Sequence, residues 1–162
     1  MNSSVHIVIS MDDQNLQVFH EDACIREFAV STSAMGEGFA IDSYRTPTGR
    51  FRICEKIGAG EPSGTIFKCR VPVGLWHSGE ASEDDLILTR ILRLEGLDVR
   101  NSNTLVRGIY IHGTNREDMI GKPASHGCVR LGNADVIELF DMAAEGDLVD
   151  ILPATRRHDP SS

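Results

Sequence analysis

The sequence of 162 residues lacks any long apolar run and any cluster of basic residues. No stretch approaches the about 18 consecutive apolar residues of a membrane-spanning helix, so no membrane association is predicted. Asp and Glu outnumber Lys and Arg by 24 to 16, which gives a net charge of −8. A nucleic-acid partner is not expected, because phosphate backbones are bound by clustered Lys and Arg.

The N-terminus has no Lys or Arg before its first apolar residues, and Asp12 and Asp13 follow soon after. A secretory signal needs a basic start and an apolar run of roughly 7–15 residues before its cleavage site. We therefore expect a cytoplasmic protein if Met1 is the native start, and a periplasmic one if an export signal has been removed.

The four cysteines include no C-x-x-C pair, so neither a zinc knuckle nor a thioredoxin-like motif is present. In a cytoplasmic protein they are expected to be reduced, whereas an exported protein with an even number of cysteines is free to form disulfides. Cys24, Cys54 and Cys69 are predicted to be small, buried, apolar side chains.

Alternating apolar residues and clusters of turn residues predict a mainly β domain over residues 1–153, followed by a polar tail over residues 154–162. Residues 79–85 carry four acidic side chains and are predicted to form a solvated loop. No internal repeat, low-complexity segment or long linker divides the chain. The predicted strands lie at residues 5–10, 16–18, 25–30, 51–53, 86–94, 108–112 and 148–152.

One clear helix is predicted near the C-terminus. Asn133 is its expected N-cap, Asp135 lies in its first turn, and Gly146 follows its last turn. The spacing of its apolar residues predicts one buried stripe. That stripe consists of Val136, Ile137, Leu139, Phe140 and Ala143.

A thiol, two imidazoles and several glycines occur together in one region, with I-H-G-T at 111–114 and S-H-G-C-V-R-L at 125–131. An unassisted thiol is mostly protonated near neutral pH, so a nucleophilic cysteine needs a base. His126 is too close to Cys128 along an extended chain to line up behind the sulfur, whereas a loop can fold His112 against it. We predict Cys128 as nucleophile and His112 as general base, with a backbone carbonyl near Gly113 fixing the imidazole tautomer. No Asp or Glu adjoins the pair in sequence, so no carboxylate third member is predicted.

The residues around Cys128 predict the rest of an acyl-transfer site. Gly127 permits unusual backbone angles, and the N–H groups of Gly127 and Cys128 are expected to form an oxyanion hole. Arg130 shares the face of the sulfur on an extended segment, where its guanidinium can hold a substrate carboxylate through two hydrogen bonds. A surface ion pair is the alternative for Arg130.

A metal site is the competing interpretation of the same residues. His112, His126 and Cys128 would then be three zinc ligands with an open fourth position, but the His-x-Cys spacing is unusual for such a site. Each residue taken alone also has a purely structural explanation. The joint occurrence of the two motifs favours the cysteine enzyme, and we predict no metal and no cofactor.

These motifs resemble the signature of the YkuD-type L,D-transpeptidases. The resemblance rests on H-G-T-N at 112–115, I-G at 120–121, the segment 125–131, an opening hairpin at 8–19 and T-P-T-G-R-F-R-I at 46–53. It covers residues 7–152. It implies a β-sandwich of mixed sheets with a short helical element over the site.

The resemblance also implies a substrate and roles for individual residues. Members of the family attack the bond between meso-diaminopimelate and the terminal D-alanine of a peptidoglycan stem tetrapeptide, and the thiol forms an acyl-enzyme. Cys128 is then the nucleophile and His112 its base, while His126 and Gly127 surround the oxyanion hole and Arg130 faces the substrate. Many members have Asn where this chain has Arg130. The positions grouped with substrate binding are Gly113, Thr114 and Ser125, of which Ser125 is expected to position the loop.

Members of the family differ in what resolves the thioester. Water gives an L,D-carboxypeptidase, and an amine gives a cross-linking L,D-transpeptidase. Because no export signal, anchor or wall-binding module is seen, we expect water as the acceptor and a role in murein recycling, with the amine as the alternative. A non-catalytic muropeptide-binding domain is a further alternative, against which the intact Cys128 and His112 argue. The expected partner is a tetrapeptide or muropeptide, and the sequence predicts no oligomeric state.

Overall fold

A computed structural model describes residues 4–155 except residues 78, 81 and 83. The last seven residues of the predicted tail, 156–162, lie outside this part of the chain. Before them, Ala154 and Thr155 donate backbone hydrogen bonds to Glu37 and Asp12. The strands are β1 (His6–Ser10), β2 (Asn15–His20), β3 (Ala23–Ala29), β4 (Gly49–Ile57), β5 (Thr65–Lys68), β6 (Val71–Leu75), β7 (Ile87–Gly96), β8 (Tyr110–Gly113), β9 (Val129–Leu131) and β10 (Leu148–Leu152).

The strands form one mixed sheet that closes on itself. Its main path runs β3-β2-β1-β10-β4-β7-β5-β6, while β8 pairs with the other edge of β7 and carries β9. The pairs β1/β10 and β8/β9 are parallel, and the others are antiparallel. Ser31, just after β3, exchanges two backbone hydrogen bonds of 2.9 Å with Arg130 of β9. The expected mainly β fold with mixed strand pairing is confirmed.

The core lies inside this closed sheet. One face of β8 and β9 packs into it, and the opposite face of these two strands carries the predicted site residues. Ile111, Val129 and Leu131 are fully buried in the main apolar cluster. Because side chains alternate along a strand, Tyr110 and Arg130 point to the other side. There Tyr110 packs with Phe67 and Ile91 in a second, smaller cluster that Cys128 joins.

The main helix confirms the predicted element but not its cap. Helix α2 (Asn133–Met142) follows the short α1 (Thr104–Arg107), and its N-cap is Gly132 in an extended conformation. The Asn133 side chain is instead buried, where it accepts a hydrogen bond of 2.6 Å from Thr89 and donates one of 2.9 Å to the Thr114 carbonyl. Within the described residues, no helix is long and apolar enough to cross a membrane.

The prediction that three cysteines are buried is wrong for two of them. Cys24 and Cys69 are exposed, while Cys54 is half-buried. Cys24 lies on β3, whose outer edge is open, and Cys69 lies in the turn between β5 and β6, so neither position is covered by a second layer. All four cysteines are free thiols.

Candidate active site

Cys128 lies immediately before β9, and the parallel register places it beside Tyr110. Its sulfur accepts a hydrogen bond from the Tyr110 N–H at 3.3 Å and donates to the Gly108 carbonyl at 3.4 Å. The side chain is half-buried against the apolar cluster of Phe67, Ile91 and Tyr110. The sulfur is therefore held between two backbone groups at the start of β8.

The His112 imidazole is buried and oriented by the next residue. Its Nδ1 lies 2.5 Å from the Gly113 carbonyl oxygen, and a carbonyl can only accept. Nδ1 must then carry the proton, which leaves Nε2 with the lone pair that a base needs. This is the carbonyl orientation that the sequence predicts.

Gly113 is required by the space around it. A Cβ at this position would lie 2.4 Å from Asn133 Oδ1 and 2.7 Å from the Leu88 carbonyl oxygen. Neither group can withdraw easily, because Asn133 is bonded to Thr89 and Thr114 and Leu88 belongs to β7. Close packing of backbone therefore fixes the residue after His112 as glycine.

The strand register brings the predicted nucleophile and base to one face. His112 pairs with Arg130 across β8 and β9, and Cys128 lies two residues before Arg130. Residues two apart on a strand share a face, so Cys128 and His112 are diagonal neighbours. The catalytic roles of both residues remain predictions.

Burial keeps both groups uncharged. The pKa of the Cys128 thiol is raised to about 11, chiefly by burial and in smaller part by the charge of Asp85. The Tyr110 N–H and the charges of Arg130 and Arg107 act in the opposite direction. Burial lowers the pKa of His112, whereas the hydrogen bond to the Gly113 carbonyl and the charge of Asp85 raise it. Near neutral pH the resting site therefore holds a thiol and a neutral imidazole rather than an ion pair.

The turn before Cys128 is closed by Ser125. Its hydroxyl donates to the Cys128 carbonyl at 2.6 Å and accepts from the Gly127 N–H at 3.2 Å. Gly127 has a φ of +125°, a region that favours glycine, and a Cβ there would lie 3.2 Å from the Arg45 carbonyl oxygen. The Gly127 N–H is thus committed within the turn, which corrects the prediction that it points at an oxyanion.

Two residues grouped with substrate binding have structural contacts instead. Ser125 is 1% exposed, its hydroxyl bonds within its own turn, and its backbone is hydrogen-bonded to Thr32 and Ala34. Thr114 is fully buried, and its hydroxyl accepts the Arg116 N–H at 3.0 Å. Both side chains are buried and support the loops around the site, and a contact of either with substrate stays a prediction.

Arg130 and His126 meet a carboxylate that the sequence did not predict. Asp85 Oδ2 lies 2.9 Å from Arg130 Nη2 and 3.4 Å from His126 Nδ1. The Arg130 side chain is only 4% exposed, so its ion pair is buried, whereas the His126 side chain is 65% exposed. Residues 79–85 were expected to be a solvated loop, and Asp85 departs from that expectation because it pairs with Arg130.

The segment over the turn is fixed by Arg107. Its guanidinium donates to the carbonyl oxygens of Gly38 and Arg45 at 3.1 and 2.6 Å. Thr46 adds a hydrogen bond of 2.8 Å to the Gly127 carbonyl, and the Tyr44 ring lies edge-on to His126 with centroids 5.7 Å apart. The loop over residues 36–45 therefore lies against the turn that precedes Cys128.

The comparison with protein families identifies the domain. The model of the L,D-transpeptidase catalytic domain, YkuD, matches residues 4–151. The chain belongs to this family. The match spans nearly all of the described residues and agrees with the resemblance seen in the sequence motifs.

Similar proteins agree with this L,D-transpeptidase assignment. YqjB of Bacillus subtilis, named as a candidate L,D-transpeptidase, is 41% identical over 54 residues, which is 33% of this chain and 30% of that protein. YkuD of Bacillus licheniformis, named in the same way, is 49% identical over 43 residues, 26% of each chain. The aligned segments thus span less than a third of these relatives.

Solved structures share the fold. An L,D-transpeptidase from Mycobacterium smegmatis matches 93% of this chain and 59% of its own, with a TM-score of 0.60 and 19% identity. An L,D-transpeptidase from Xylanimonas cellulosilytica matches 94% of this chain and 62% of its own, with a TM-score of 0.60 and 22% identity. At these identities the likeness establishes the architecture alone.

The L,D-transpeptidase domain does not arrange its histidines as the alternative zinc site requires. Within the described residues, no three His, Cys, Asp or Glu side chains converge to hold a metal ion. His126 points to the rim, where it meets Asp85 and Tyr44, while His112 is buried against Gly113. The geometry therefore separates the two histidines into different surroundings.

Proposed function

We propose that this domain is a cysteine acyl-transfer enzyme that cleaves the bond between meso-diaminopimelate and the terminal D-alanine of a peptidoglycan stem peptide. The observation that carries the proposal is the placement of Cys128 and His112 on one face of β8 and β9, with the Gly113 carbonyl fixing the His112 tautomer. Family membership supplies the substrate class.

The uncharged resting pair supports a general-base mechanism. His112 Nε2 takes the thiol proton as Cys128 Sγ attacks the carbonyl carbon of the scissile bond. The new C–S bond forms a tetrahedral oxyanion, to which we assign the Cys128 N–H as a donor, since the Gly127 N–H is bonded to Ser125. The imidazolium then protonates the leaving amine, D-alanine departs, and the thioester remains on Cys128.

The sulfur has to change partners for this step. In the resting site it donates its proton to the Gly108 carbonyl and not to His112. Rotation about the Cα–Cβ bond of Cys128 releases this contact and brings the proton toward Nε2. Substrate binding is the event that we propose triggers the rotation, because the resting thiol has a pKa of about 11 and is not ionised in advance.

Water is the acceptor that we propose for the thioester. The recess beside Arg130 has a volume of about 170 Å³ and is lined by Asp84, Asp85, Arg116, Met119, Ala124, His126 and Arg130. At roughly 30 Å³ per molecule this recess, two residues along the strand from Cys128, has room for a few waters. His112 takes a proton from the attacking water, the C–S bond breaks, and the proton returns to sulfur. Release of a tripeptide in this way is the trimming expected in murein recycling.

An amine acceptor is the second candidate, and one observation favours it. Two carboxylates, Asp84 and Asp85, line the recess, and the chain has a net charge of −8. Arg130 and Arg116 also line the recess and are paired with Asp85 and Asp118, so the charge left to attract the ammonium group of a second stem peptide is that of Asp84. The product would then be a cross-linked dimer and not a free tripeptide.

The mass of the product from a purified tetrapeptide tests the proposal. We expect a loss of one D-alanine and a tripeptide product, with and without an added amine acceptor. A dimer as the main product would favour the amine, and no turnover under either condition would refute the enzyme. Cys128→Ala should abolish turnover while tetrapeptide binding persists, and Cys24→Ala, at an exposed thiol on β3, should leave both unchanged.

A further inference from the structure

Asp85 is the one carboxylate that the described structure places in contact with two predicted site residues. It reaches Arg130 Nη2 at 2.9 Å and His126 Nδ1 at 3.4 Å, both through Oδ2. Arg130 faces the same side as Cys128, and His126 is two residues before the nucleophile. A single side chain from outside the motif therefore connects both flanks of the nucleophile.

The backbone on both sides of Asp85 is held by Asn115. The Asn115 side chain donates to the Asp84 carbonyl at 3.1 Å and accepts from the Leu86 N–H at 3.1 Å. Asn115 lies only three residues after His112 along the chain. The segment that supplies the predicted base therefore also fixes the carboxylate, and Asp85 is presented by a clamped backbone.

The ion pair between Asp85 and Arg130 is only half of the bond that these groups can form. A guanidinium and a carboxylate can pair through two parallel hydrogen bonds. Here Arg130 Nε and Asp85 Oδ1 are both buried and have no hydrogen-bond partner among the described residues. The contact therefore runs through Nη2 and Oδ2 and fixes the position of the guanidinium without pairing its Nε.

The charge of Asp85 also reaches the reacting groups. It raises the pKa of both Cys128 and His112, while Arg130 lowers both of them. Arg107 is the other charged group that acts on the thiol, and it lowers its pKa. A change at Asp85 should thus be visible at the sulfur even when no peptide is bound.

We propose that Asp85 is a positioning residue that sets Arg130 and His126 on the substrate side of Cys128. The ion pair fixes the guanidinium where it lines the recess beside the nucleophile, and we assign the guanidinium to a substrate carboxylate at that recess. The inference rests on the proposed function for the identity of that carboxylate, which belongs to the stem peptide. The placement of Arg130 itself rests on the contacts of Asp85 alone.

The first test uses Asp85→Asn, which keeps the size of the side chain and removes its charge. We expect the KM for the tetrapeptide to rise by about tenfold while kcat changes far less, because the guanidinium loses the ion pair that places it. The Kd of the tetrapeptide, measured in the Cys128→Ala background, should rise by the same factor. Asp85→Glu should restore part of the affinity, and Asp141→Asn, an exposed carboxylate on α2, should change neither constant. An unchanged or lower KM in Asp85→Asn would overturn the proposal, since Asp85 would then be passive or would compete with the substrate.

The second test needs no peptide, which separates this inference from the proposed function. The rate of Cys128 alkylation by iodoacetamide is followed against pH in the free enzyme. Asp85→Asn should shift the profile to lower pH, because the charge that it removes raises the thiol pKa, and Asp141→Asn should not. If the tetrapeptide is not cleaved but the profile shifts, the proposed function fails and the placement of Asp85 stands. An unshifted profile in a folded Asp85→Asn protein refutes the placement whatever the peptide result.

Discussion

At the scale of single residues, the bond from His112 to the Gly113 carbonyl decides which imidazole nitrogen acts. Nδ1 donates its proton to the Gly113 carbonyl oxygen at 2.5 Å, so only Nε2 can accept a proton from sulfur. The orientation comes from the backbone of the next residue and needs no carboxylate. This explains why no acidic residue beside the motif was required for a tautomer to be fixed.

The pH dependence of the reaction should report the burial of His112. Burial lowers the pKa of His112 below the 6.5 of a free imidazole, and the neutral form is the one that accepts the thiol proton. We therefore expect the acidic limb of kcat/KM for the tetrapeptide to have its midpoint below pH 6.5. His112→Gln should lower kcat/KM by about 10²–10⁴-fold. His77→Gln, at an exposed histidine, is the control, and a midpoint above that of free imidazole would contradict the assignment.

Gly127→Ala should harm the site more than the same change at an open glycine. Gly127 and Gly121 both have positive φ, +125° and +95°, so an alanine is strained at either position. Only Gly127 is crowded, because its added Cβ meets the Arg45 carbonyl oxygen at 3.2 Å. We expect both variants to lose about 1 kcal/mol of stability from backbone strain, with a further loss and reduced activity only in Gly127→Ala. Equal loss of activity in both variants, measured beside urea unfolding, would show that crowding plays no part.

At the scale of elements, most strands and the main helix follow from the sequence, whereas β5, β6, β9 and the short α1 do not. The alternation in β1 and β2 and the apolar run of β7 predict their strands correctly. The hairpin of β5 and β6 was not predicted, since β6 contains Pro72 and Gly74 and is tolerated only because it is an edge strand. β9 has three residues, which is too short for any periodic signal.

The candidate site likewise has one part that the sequence predicts and one part that it does not. Cys128, His112 and the Gly113 carbonyl lie within two short motifs, so their chemistry and spacing were enough to predict them. Asp85 lies among acidic residues whose local pattern is that of a solvated loop. Asp85, just before β7, reaches Arg130 because β7 pairs with β8 and β8 pairs with β9. These pairs join segments that are distant in sequence, so no local pattern predicts the contact.

Arg107 offers a test of how an element supports the thiol. Arg107 is the last residue of α1, and its guanidinium donates to the Gly38 and Arg45 carbonyls. Its positive charge lowers the pKa of Cys128. Arg107→Gln should cost about 1–3 kcal/mol of stability from the lost hydrogen bonds. It should also move the pH profile of Cys128 alkylation to higher pH. Arg100→Gln is matched, because Arg100 stacks on Phe39 of the same loop at 4.5 Å, and it should leave the profile in place.

At the scale of the whole molecule, the sheet joins segments that are distant in sequence. β1 and β10 pair in parallel, so strands from the two ends of the domain lie at the centre of the sheet. β10 then pairs with β4, and β4 pairs with β7, which carries β8. The site on β8 and β9 thus depends on a continuous series of strand pairs that begins at the pairing of β1 with β10.

Asp150 ties three of these strands together and gives the stability of the molecule a dependence on pH. Its carboxylate accepts from His6 on β1 at 2.6 Å and from Arg50 on β4 at 3.0 Å. Burial raises the pKa of Asp150, but these hydrogen bonds outweigh it and the net shift is downward. The stabilisation is therefore present above the unfolded value of 3.8 and is lost as the pH falls through the lower folded value.

Asp150→Asn should consequently lower the free energy of unfolding near pH 7 by about 1 kcal/mol, a modest figure because the pair is partly exposed. The difference from the unsubstituted protein should shrink as the pH falls below 3.8 and through the lower folded pKa of Asp150, below which both proteins carry an uncharged side chain at this position. Urea unfolding across this range measures it, with Asp22→Asn at an exposed turn as the control. A difference that stays constant with pH would mean that Asp150 acts through packing and not through its charge, and the three strands would then be held together by their backbone pairing alone.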